Sequence, residues 1–426
     1  MIEIQPAKKI KAEVAVPGSK SITQRALIAA ALADGSSTLL GPLESEDTRY
    51  TAAALQQMGV TVAKGKDIWT VQGRGGRVAT PVKEIFLGNN GTATRFLTSV
   101  AALGSGTFKI SGDERMAERP ILPLMKALQG WGVEIASIND NGCPPLLIKA
   151  NGLSGGRTVL PEGKSSQYLS SLLLVGPYAR QPAELDVEGE ILSLPYVIMT
   201  LAVMEAFGIR VEANEALNTY RIPQGKYKAQ EYAIEGDASN ASYFYAAAAV
   251  TGGEVTVSNV PVPSLQGDAA FVALLARMGC QINKTGDGLT ISGPEELKGI
   301  VIDMGDMPDV VPTLAVVASQ AKGRTVIKNI AHLRIKECDR LHVMAVELAK
   351  MGARVQELED TLVIEGINPD APMHGAEIET YNDHRIAMSF AVAGLAVPGV
   401  KIRGEQCVAK SFPDFWERFK QLYNRV

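Results

Sequence analysis

The sequence repeats one layout six times along its 426 residues. Each copy has a polar start containing glycine or asparagine, then a helix rich in alanine, leucine and valine. In most copies a second, amphipathic helix ends in a glycine turn that leads into an alternating strand. Six such α/β repeats exceed one ordinary core and divide most simply into two groups of three. The copies recur about every 70 residues and begin near Gly18, Gly88, Gly163, Gly236, Gly305 and Asn382.

This division predicts two similar domains. The polar run 224–228 is the stretch between the third and fourth repeats that is least able to pack, and it is the candidate linker. We therefore expect an N-terminal lobe over residues 18–228. The opening stretch is assigned to the other half, so that the C-terminal lobe consists of residues 1–17 plus 229–426, with a second crossing point at Pro17-Gly18.

Composition excludes several classes of protein. With 46% apolar and 21% charged residues the chain is globular, and its net charge of −4 argues against a nucleic-acid or anionic-membrane protein. No apolar run reaches transmembrane length, and the first residues lack a signal-peptide core. The four widely spaced cysteines favour a reducing cytoplasm. Together with four histidines that form no His-x-x-x-His pair, they argue against a metal site.

The segment from Leu87 to Arg95 is typical of an anion site. Its Gly88-Asn89-Asn90-Gly91 turn lets the backbone approach a ligand, and Thr92 or Thr94 can start the apolar helix that follows. Free N–H groups at a helix start beside a guanidinium bind phosphate or carboxylate well. A capped turn leading into a buried helix is the alternative interpretation.

Basic residues gather at several of these polar starts although the chain is acidic. This indicates a cavity for small anions, and a set of solvated surface charges is the alternative. The residues concerned are Lys20, Arg25, Arg95, Arg115, Arg119, Arg334, Lys336, Arg340, Arg385 and Lys410.

Two further segments carry candidate chemistry. A helix starting at Lys336 would put Lys336 and Arg340 on one face, with Glu337 between the cations as a candidate acid or base. A surface ion-pair network is the alternative there. His384 and Arg385 stand at a predicted helix start, where an anion would bind or where the histidine would simply be capped. Asp309 is either a helix cap or a base.

Six collinear motifs together resemble the EPSP synthases, a family of enolpyruvyl transferases, from the first strand to the last helix. The motifs are Gly18-Ser19-Lys20-Ser21 with Arg25, Gly88 to Arg95, Glu118-Arg119-Pro120, Ser165-Ser166-Gln167, Arg334 to Arg340, and Asn382 to Met388.

The resemblance implies an α/β fold of two similar domains, each of three repeated α/β units, with the active site in the cleft between them. It implies transfer of the enolpyruvyl group from phosphoenolpyruvate (PEP) to the 5-hydroxyl of shikimate 3-phosphate. Phosphate is released by addition and elimination through a tetrahedral intermediate, in the shikimate pathway toward chorismate and aromatic amino acids. No metal or organic cofactor is implied, and many relatives are monomers.

The resemblance also assigns residues, position by position. Lys20, Asp309, Glu337 and His384 form the implied catalytic set, in which Asp309 accepts the 5-hydroxyl proton and Glu337, assisted by Lys20, protonates the PEP methylene. The residues implied to bind PEP are Lys20, Gly91, Arg119, Gln167, Arg340, Arg385 and Lys410. Those implied to bind shikimate 3-phosphate are Ser21, Arg25, Ser165, Ser166, Gln167, Ser193, Asp309 and Lys336.

Two positions depart from the family pattern. His332 stands where many relatives carry asparagine, which affects one contact on the shikimate-phosphate side. Asn90 stands where a smaller residue such as alanine is usual, which would narrow the turn on the PEP side. Gly91 itself is present, so we expect sensitivity to glyphosate, a competitor for the PEP site.

Three other functions compete with this interpretation. UDP-N-acetylglucosamine enolpyruvyl transferase shares the fold and PEP, but that family carries a reactive cysteine in a loop where residues 111–119 have none, and Lys-Asn in place of Lys20-Ser21. A nucleic-acid-end-processing enzyme of related fold conflicts with the pI of 5.8. A non-catalytic binding protein would require the loss of Lys20, Asp309, Glu337 or His384.

Overall fold

The computed structural model describes residues 1–163, 165–286 and 288–423. Within them the α/β class predicted from the sequence is confirmed. The helices are α1 (Lys20–Leu32), α2 (Glu46–Gln57), α3 (Gly91–Ala102), α4 (Leu122–Gly130), α5 (Ser166–Val175), α6 (Leu194–Ala206), α7 (Ala238–Thr251), α8 (Phe271–Arg277), α9 (Val311–Ser319), α10 (Arg340–Lys350), α11 (His384–Ala396) and α12 (Phe415–Lys420).

Short strands alternate with these helices. They are β1 (Ile2–Glu3), β2 (Lys11–Val14), β3 (Asp34–Leu40), β4 (Thr61–Lys64), β5 (Ile68–Arg74), β6 (Ile85–Phe86), β7 (Ser105–Ser111), β8 (Glu134–Ser137), β9 (Leu146–Asn151), β10 (Gly156–Leu160), β11 (Ala183–Val187), β12 (Glu212–Ala213), β13 (Thr219–Ile222), β14 (Glu231–Ala233), β15 (Glu254–Val257), β16 (Gln281–Thr285), β17 (Gly288–Ser292), β18 (Val301–Asp303), β19 (Thr325–Lys328), β20 (Val355–Glu357), β21 (Leu362–Ile364), β22 (Glu377–Glu379) and β23 (Lys401–Arg403).

The chain divides into two compact units. One, the N-terminal unit, is Gly18–Ile234, and the other, the C-terminal unit, combines Met1–Pro17 with Glu235–Val426. The division falls after Ile234 rather than after the predicted Lys228. The reason is that β14 pairs in parallel with β3, and Tyr227, within the predicted linker, is fully buried in the core of the N-terminal unit.

In its described residues, the N-terminal unit contains three sheets with one strand pattern. In the sheet β6-β7-β9-β8, β6 and β7 are parallel, and the next two pairings are antiparallel. The sheets β10-β11-β13-β12 and β14-β3-β5-β4 repeat this pattern. Helices α1, α3 and α5 are buried over nearly their whole length, and their alanine, serine and threonine residues allow close packing.

The C-terminal unit repeats the arrangement with the opening residues included. β2 pairs in parallel with β15 in the sheet β16-β17-β15-β2, and the sheet β18-β19-β21-β20 has the same pattern. The third sheet, β1-β23-β22, has three strands. Helices α7, α9 and α11 of this unit are buried over nearly their whole length.

The glycines predicted to end the second helix of five repeats have the left-handed backbone that this position needs. All five show φ between +82° and +111°, namely Gly59, Gly132, Gly208, Gly279 and Gly352. Most polar starts of the repeats lie just before the first turns of the buried helices, so Lys20, Gly91, Ser166 and Arg385 lie at such starts.

Candidate active site

In the N-terminal unit the first cation lies at the start of α1. Lys20 is the first residue of this helix, after the N-cap Ser19, and its Nζ lies 3.2 Å from Asp47 Oδ2. Both side chains are almost fully buried, and Asp47 is fixed in the first turn of α2, whose N-cap Ser45 forms a capping box with Thr48. The sequence interpretation missed Asp47, because an acidic residue in a first helical turn is an ordinary feature.

Arg25 lies one helical turn further along α1 and is held by neutral groups. Its guanidinium donates to Thr200 Oγ1 (2.7 Å), Ser21 O (3.0 Å), Ser170 Oγ (3.3 Å) and Tyr196 O (3.2 Å). Burial lowers the pKa of Arg25 to about 10, with Tyr196 opposing, so the side chain stays charged at neutral pH. The site therefore carries a buried positive charge beside hydroxyl groups.

A second guanidinium, that of Arg119, contacts the turn before α3. Arg119 Nη1 donates to Asn89 O (3.2 Å) and Asn89 Oδ1 (2.8 Å). A Cβ added at Gly91 would lie 2.5 Å from Arg119 Nη2, so a side chain at this position would force the Arg119 guanidinium to shift. Arg95, in the first turns of the same helix, donates to Pro120 O at 2.7 Å, and burial followed by the charge of Arg119 lowers its pKa to about 10.

The start of α3 differs from the predicted one. The N-cap is Asn90, whose Oδ1 accepts from Ala93 N at 2.9 Å, and the helix begins at Gly91 rather than at a threonine. Asn90 is buried, and its Nδ2 donates to Asp47 O at 2.7 Å. Asn90, which stands where the family pattern has a smaller residue, thus caps α3 and joins it to α2 through its side chain.

The remaining predicted residues of this unit lie at two more helix starts. Ser165 is the N-cap of α5 and Ser166 its first residue, while Gln167 Nε2 donates to Thr92 Oγ1 at 3.1 Å across to α3. Ser193 is the buried N-cap of α6 and has a left-handed φ of 58°. Such a conformation is costly outside glycine and is typical of functional positions.

In the C-terminal unit one guanidinium collects three carboxylates. Arg340 contacts Asp309 Oδ1 (3.1 Å), Glu337 Oε2 (2.9 Å) and Asp383 Oδ2 (2.7 Å), and it is only 1% exposed. Burial opposes its charge, but Asp383, Glu337 and Asp309 outweigh this and raise the pKa of Arg340 above its ordinary value. The structure therefore brings the candidate acid and the candidate base to the same side chain.

Asp309 joins the two arginines. It lies in a short 3₁₀ helix just before α9, and its Oδ2 accepts from Arg385 Nη2 at 2.5 Å. A further carboxyl group, Asp268, hydrogen-bonds to Ser239 Oγ. Burial and the charge of Asp309 raise the pKa of Asp268 to about 6. Negative charge is thus concentrated around these arginines.

Asp383 organises the start of α11. It is fully buried, caps the helix by accepting from Arg385 N at 2.9 Å, and also accepts from Cys338 Sγ at 3.4 Å. His384 follows it, fully buried, with its Nδ1 3.6 Å from Asp383 Oδ1. Asp383 was missed as a site residue, because a capping aspartate has no distinctive sequence signal beyond its position.

The interpretation of residues 334–340 is partly wrong. Asp339 is the N-cap of α10, which begins at Arg340, so Lys336 precedes the helix in an extended conformation and does not share a face with Arg340. Arg334 follows the alternative of a surface network, pairing with Asp339 (3.0 Å) and Glu357 (2.6 Å). Lys410, in contrast, is buried at the end of a 3₁₀ helix, Glu405–Lys410.

His332 is buried to 5% exposure, and in the described part of the chain neither of its ring nitrogens has a hydrogen-bond partner. Burial lowers its pKa to about 3, with Lys336 acting in the same direction and Asp309 opposing. The imidazole is therefore neutral at physiological pH. It lies close enough to interact electrostatically with Lys336 and Asp309, two of the residues predicted to bind shikimate 3-phosphate.

The described residues contain no group of three or more His, Cys, Asp or Glu side chains placed to hold a metal ion. None of the helices in this part of the chain combines the length and apolar character needed to cross a bilayer. All four cysteines are buried free thiols.

Comparisons with known proteins agree over nearly the whole chain. The model of the family described as EPSP synthase (3-phosphoshikimate 1-carboxyvinyltransferase) matches residues 4–419. A 3-phosphoshikimate 1-carboxyvinyltransferase of Nostoc punctiforme is 43% identical, covering 97% of each chain, and one of Syntrophobacter fumaroxidans is 43% identical, covering 98% of this chain and 99% of the relative. A solved EPSP synthase of Acinetobacter baumannii aligns with a TM-score of 0.82 at 30% identity, covering 99% of this chain and 97% of that one. The chain belongs to the EPSP synthase (3-phosphoshikimate 1-carboxyvinyltransferase) family.

Proposed function

We propose that the protein transfers the carboxyvinyl group of PEP to the 5-hydroxyl of shikimate 3-phosphate and releases inorganic phosphate. One observation carries the proposal beyond family membership. Asp309 and Glu337, the candidate base and acid, both contact the guanidinium of Arg340 in the C-terminal unit. Addition of an alcohol across a carbon–carbon double bond requires such a pair, one group to remove a proton and one to supply it.

The cations account for the charges of the substrates. Each substrate carries one phosphate and one carboxylate, and all four groups must be bound in a site that excludes water. Guanidinium groups and helix starts bind such anions well. We assign shikimate 3-phosphate to Arg25 and the serines near it, with Asp309 and Lys336. PEP is assigned to Lys20, the Gly91 turn with Arg119, and Gln167, together with Arg340, Arg385 and Lys410.

The addition step follows from the assigned roles. Asp309 takes the proton of the 5-hydroxyl, the oxygen bonds to C2 of PEP, and Glu337, assisted by Lys20, delivers a proton to the methylene C3. In the elimination step C3 returns a proton, the C2–O bond to the phosphate breaks, and phosphate leaves. Each general acid or base contributes about 10²–10⁴-fold to the rate. His384, beside Asp383, stays a predicted member of the catalytic set.

We further propose that both sets of residues act on one pair of substrates, in the interdomain cleft that the resemblance implies. The protein is proposed to be a monomer acting in the cytoplasm, which the four free thiols support. Sensitivity to glyphosate also stays a prediction, supported by the glycine at position 91 and the close approach of Arg119 to it.

One assay tests the reaction. The full chain is mixed with PEP and shikimate 3-phosphate, and released phosphate is measured. We expect release that depends on both substrates. Release with UDP-N-acetylglucosamine and PEP, and none with shikimate 3-phosphate, would instead establish the rival enolpyruvyl transferase. That rival is disfavoured because residues 111–119 contain no cysteine.

A further inference from the structure

The two arginines of the C-terminal unit that are assigned to PEP are already engaged by carboxylates. Asp309 uses one oxygen for each of them: Oδ1 accepts from Arg340 Nη1 at 3.1 Å and Oδ2 from Arg385 Nη2 at 2.5 Å. Glu337 Oε2 accepts from Arg340 Nη2 at 2.9 Å. The groups proposed to move protons are therefore the same groups that pair with the anion-binding cations.

All three nitrogens of the Arg340 guanidinium are used in this way. Its Nε and Nη2 contact the two oxygens of Asp383 at 2.7 and 3.2 Å, and its Nη1 contacts Asp309. A guanidinium has a fixed set of N–H donors, and bidentate binding of another anion requires two of them. Asp309, Glu337 and Asp383 take four of the five N–H donors, so a substrate anion that binds Arg340 in bidentate fashion must displace one of these carboxylates.

The three carboxylates differ in how firmly they are fixed. Asp383 is fully buried, contacts Arg340 in bidentate fashion and caps α11, so its displacement would also uncap a buried helix. The side chains of Asp309 and Glu337 are 18% and 10% exposed. A substrate anion that binds Arg340 is consequently expected to displace Asp309 and Glu337 rather than Asp383.

We propose that the anionic groups of PEP displace Asp309 and Glu337 from Arg340 and Arg385, so that the base and the acid are released for chemistry only when PEP is bound. The inference rests on the proposed function. While the ion pairs persist, the adjacent guanidinium groups favour the ionised carboxylates and oppose their protonation. Once PEP carries those ion pairs instead, both carboxyl groups can hold a proton: Asp309 can accept the one from the 5-hydroxyl, and Glu337 can carry the one that it delivers to C3.

Calorimetric titration of the full chain with PEP tests the displacement. Asp309→Asn removes a competitor for both arginines, so its Kd for PEP is expected to fall about tenfold although turnover is lost. Glu337→Gln is expected to lower the Kd by a smaller factor and gives a second measurement should the first variant fold poorly. Glu357→Gln is the matched control, because Glu357 pairs instead with the surface residue Arg334, and its Kd is expected to equal that of the wild type.

A double variant separates displacement from a general change in charge. If Asp309 competes through Arg385, Asp309→Asn strengthens PEP binding less in an Arg385→Gln background than in the wild-type background. Equal or weaker binding of PEP by both Asp309→Asn and Glu337→Gln overturns the inference, as does an equal gain in the two backgrounds. Phosphate release by the wild type is measured alongside. Its absence refutes the proposed function, whereas release without tighter binding by the variants refutes the displacement alone.

Discussion

The two units hold their buried arginines in opposite ways. In the N-terminal unit, across the residues that the structure describes there, Arg25, Arg95 and Arg119 contact hydroxyl groups, an amide oxygen, a thioether and backbone carbonyls, all of them neutral. In the C-terminal unit Arg340 and Arg385 contact carboxylates. Lys20, a buried lysine of the N-terminal unit, differs from these three arginines because it pairs with a carboxylate, that of Asp47.

The pKa values follow the same division. Burial lowers the pKa of Arg25 and of Arg95 to about 10, whereas three carboxylates raise that of Arg340. A buried cation with neutral neighbours keeps an uncompensated charge and can accept an anion without breaking an ion pair. The difference teaches that related repeats can offer an anion two kinds of buried arginine: one with neutral neighbours, and one already paired with carboxylates.

The largest expected effect tests whether a carboxylate held by Arg340 performs chemistry. Glu337→Gln is expected to lower kcat about 10²–10⁴-fold, because the acid is lost while the shape is retained. Steady-state phosphate release measures it. Glu365→Gln, which alters an exposed carboxylate paired with Arg324 in the same unit, is the control and is expected to retain full activity. An active Glu337→Gln variant would remove the acid role.

The next effect compares the stability that each kind of arginine provides. Arg340→Met leaves the fully buried Asp383 without its cation and is expected to lower the free energy of unfolding by about 3–5 kcal/mol. Arg119→Met removes two hydrogen bonds to Asn89 and breaks no ion pair that the structure records, and it is expected to cost about 1 kcal/mol. Denaturant titrations of both variants give the two values. Equal losses would contradict the distinction between the units.

A smaller effect is expected where the N-terminal unit fits most closely. In Gly91→Ala the new methyl group meets Arg119 Nη2, so the guanidinium must shift and the KM for PEP is expected to rise about tenfold. The KM for shikimate 3-phosphate, measured with the same variant, is the internal control and should stay constant. An unchanged KM for PEP would show that Arg119 does not bind PEP from this position.

The smallest effect concerns the neutral histidine of the C-terminal unit. Below pH 6.5 the imidazole of unfolded His332 takes up a proton, whereas the native one stays neutral down to about pH 3. Stability from this group is therefore complete above pH 6.5 and falls by up to about 1.4 kcal/mol for each pH unit below it. The His332→Asn variant is expected to lack this fall in stability between pH 7 and 5.5. Denaturant titrations of both proteins measure the free energy of unfolding against pH, and identical slopes would contradict the prediction.

The repeats and the glycine turns could be predicted from the sequence, because periodicity and the positive φ of glycine are local properties. The meeting of Asp309, Glu337 and Arg340 could not be derived from spacing, since a 3₁₀ helix, the bend before α10 and the start of α10 must come together. Resemblance to a family supplied their roles. The partners Asp47 and Asp383 were missed because each also serves a helix start, which gives no signal of a second task.

Local rules also failed at two boundaries. A helix starting at Lys336 would carry both Lys336 and Arg340, but Asp339 accepts from His342 N and starts α10 later. The candidate linker was polar in sequence, yet Tyr227 OH donates to Leu174 O inside the N-terminal unit. A tyrosine among polar neighbours shows no periodicity, so its burial depended on contacts distant in the chain.

The pairing of β2 with β15 has a consequence for synthesis on the ribosome. Residues Gly18–Ile234 form their unit from one continuous stretch and can fold as soon as that stretch emerges. Strand Lys11–Val14 is made before them, yet its partner Glu254–Val257 comes after them. The nascent chain therefore carries this segment without its partner strand while the first unit folds, and its charged residues Lys11 and Glu13 are of the kind that disfavours edge-to-edge pairing.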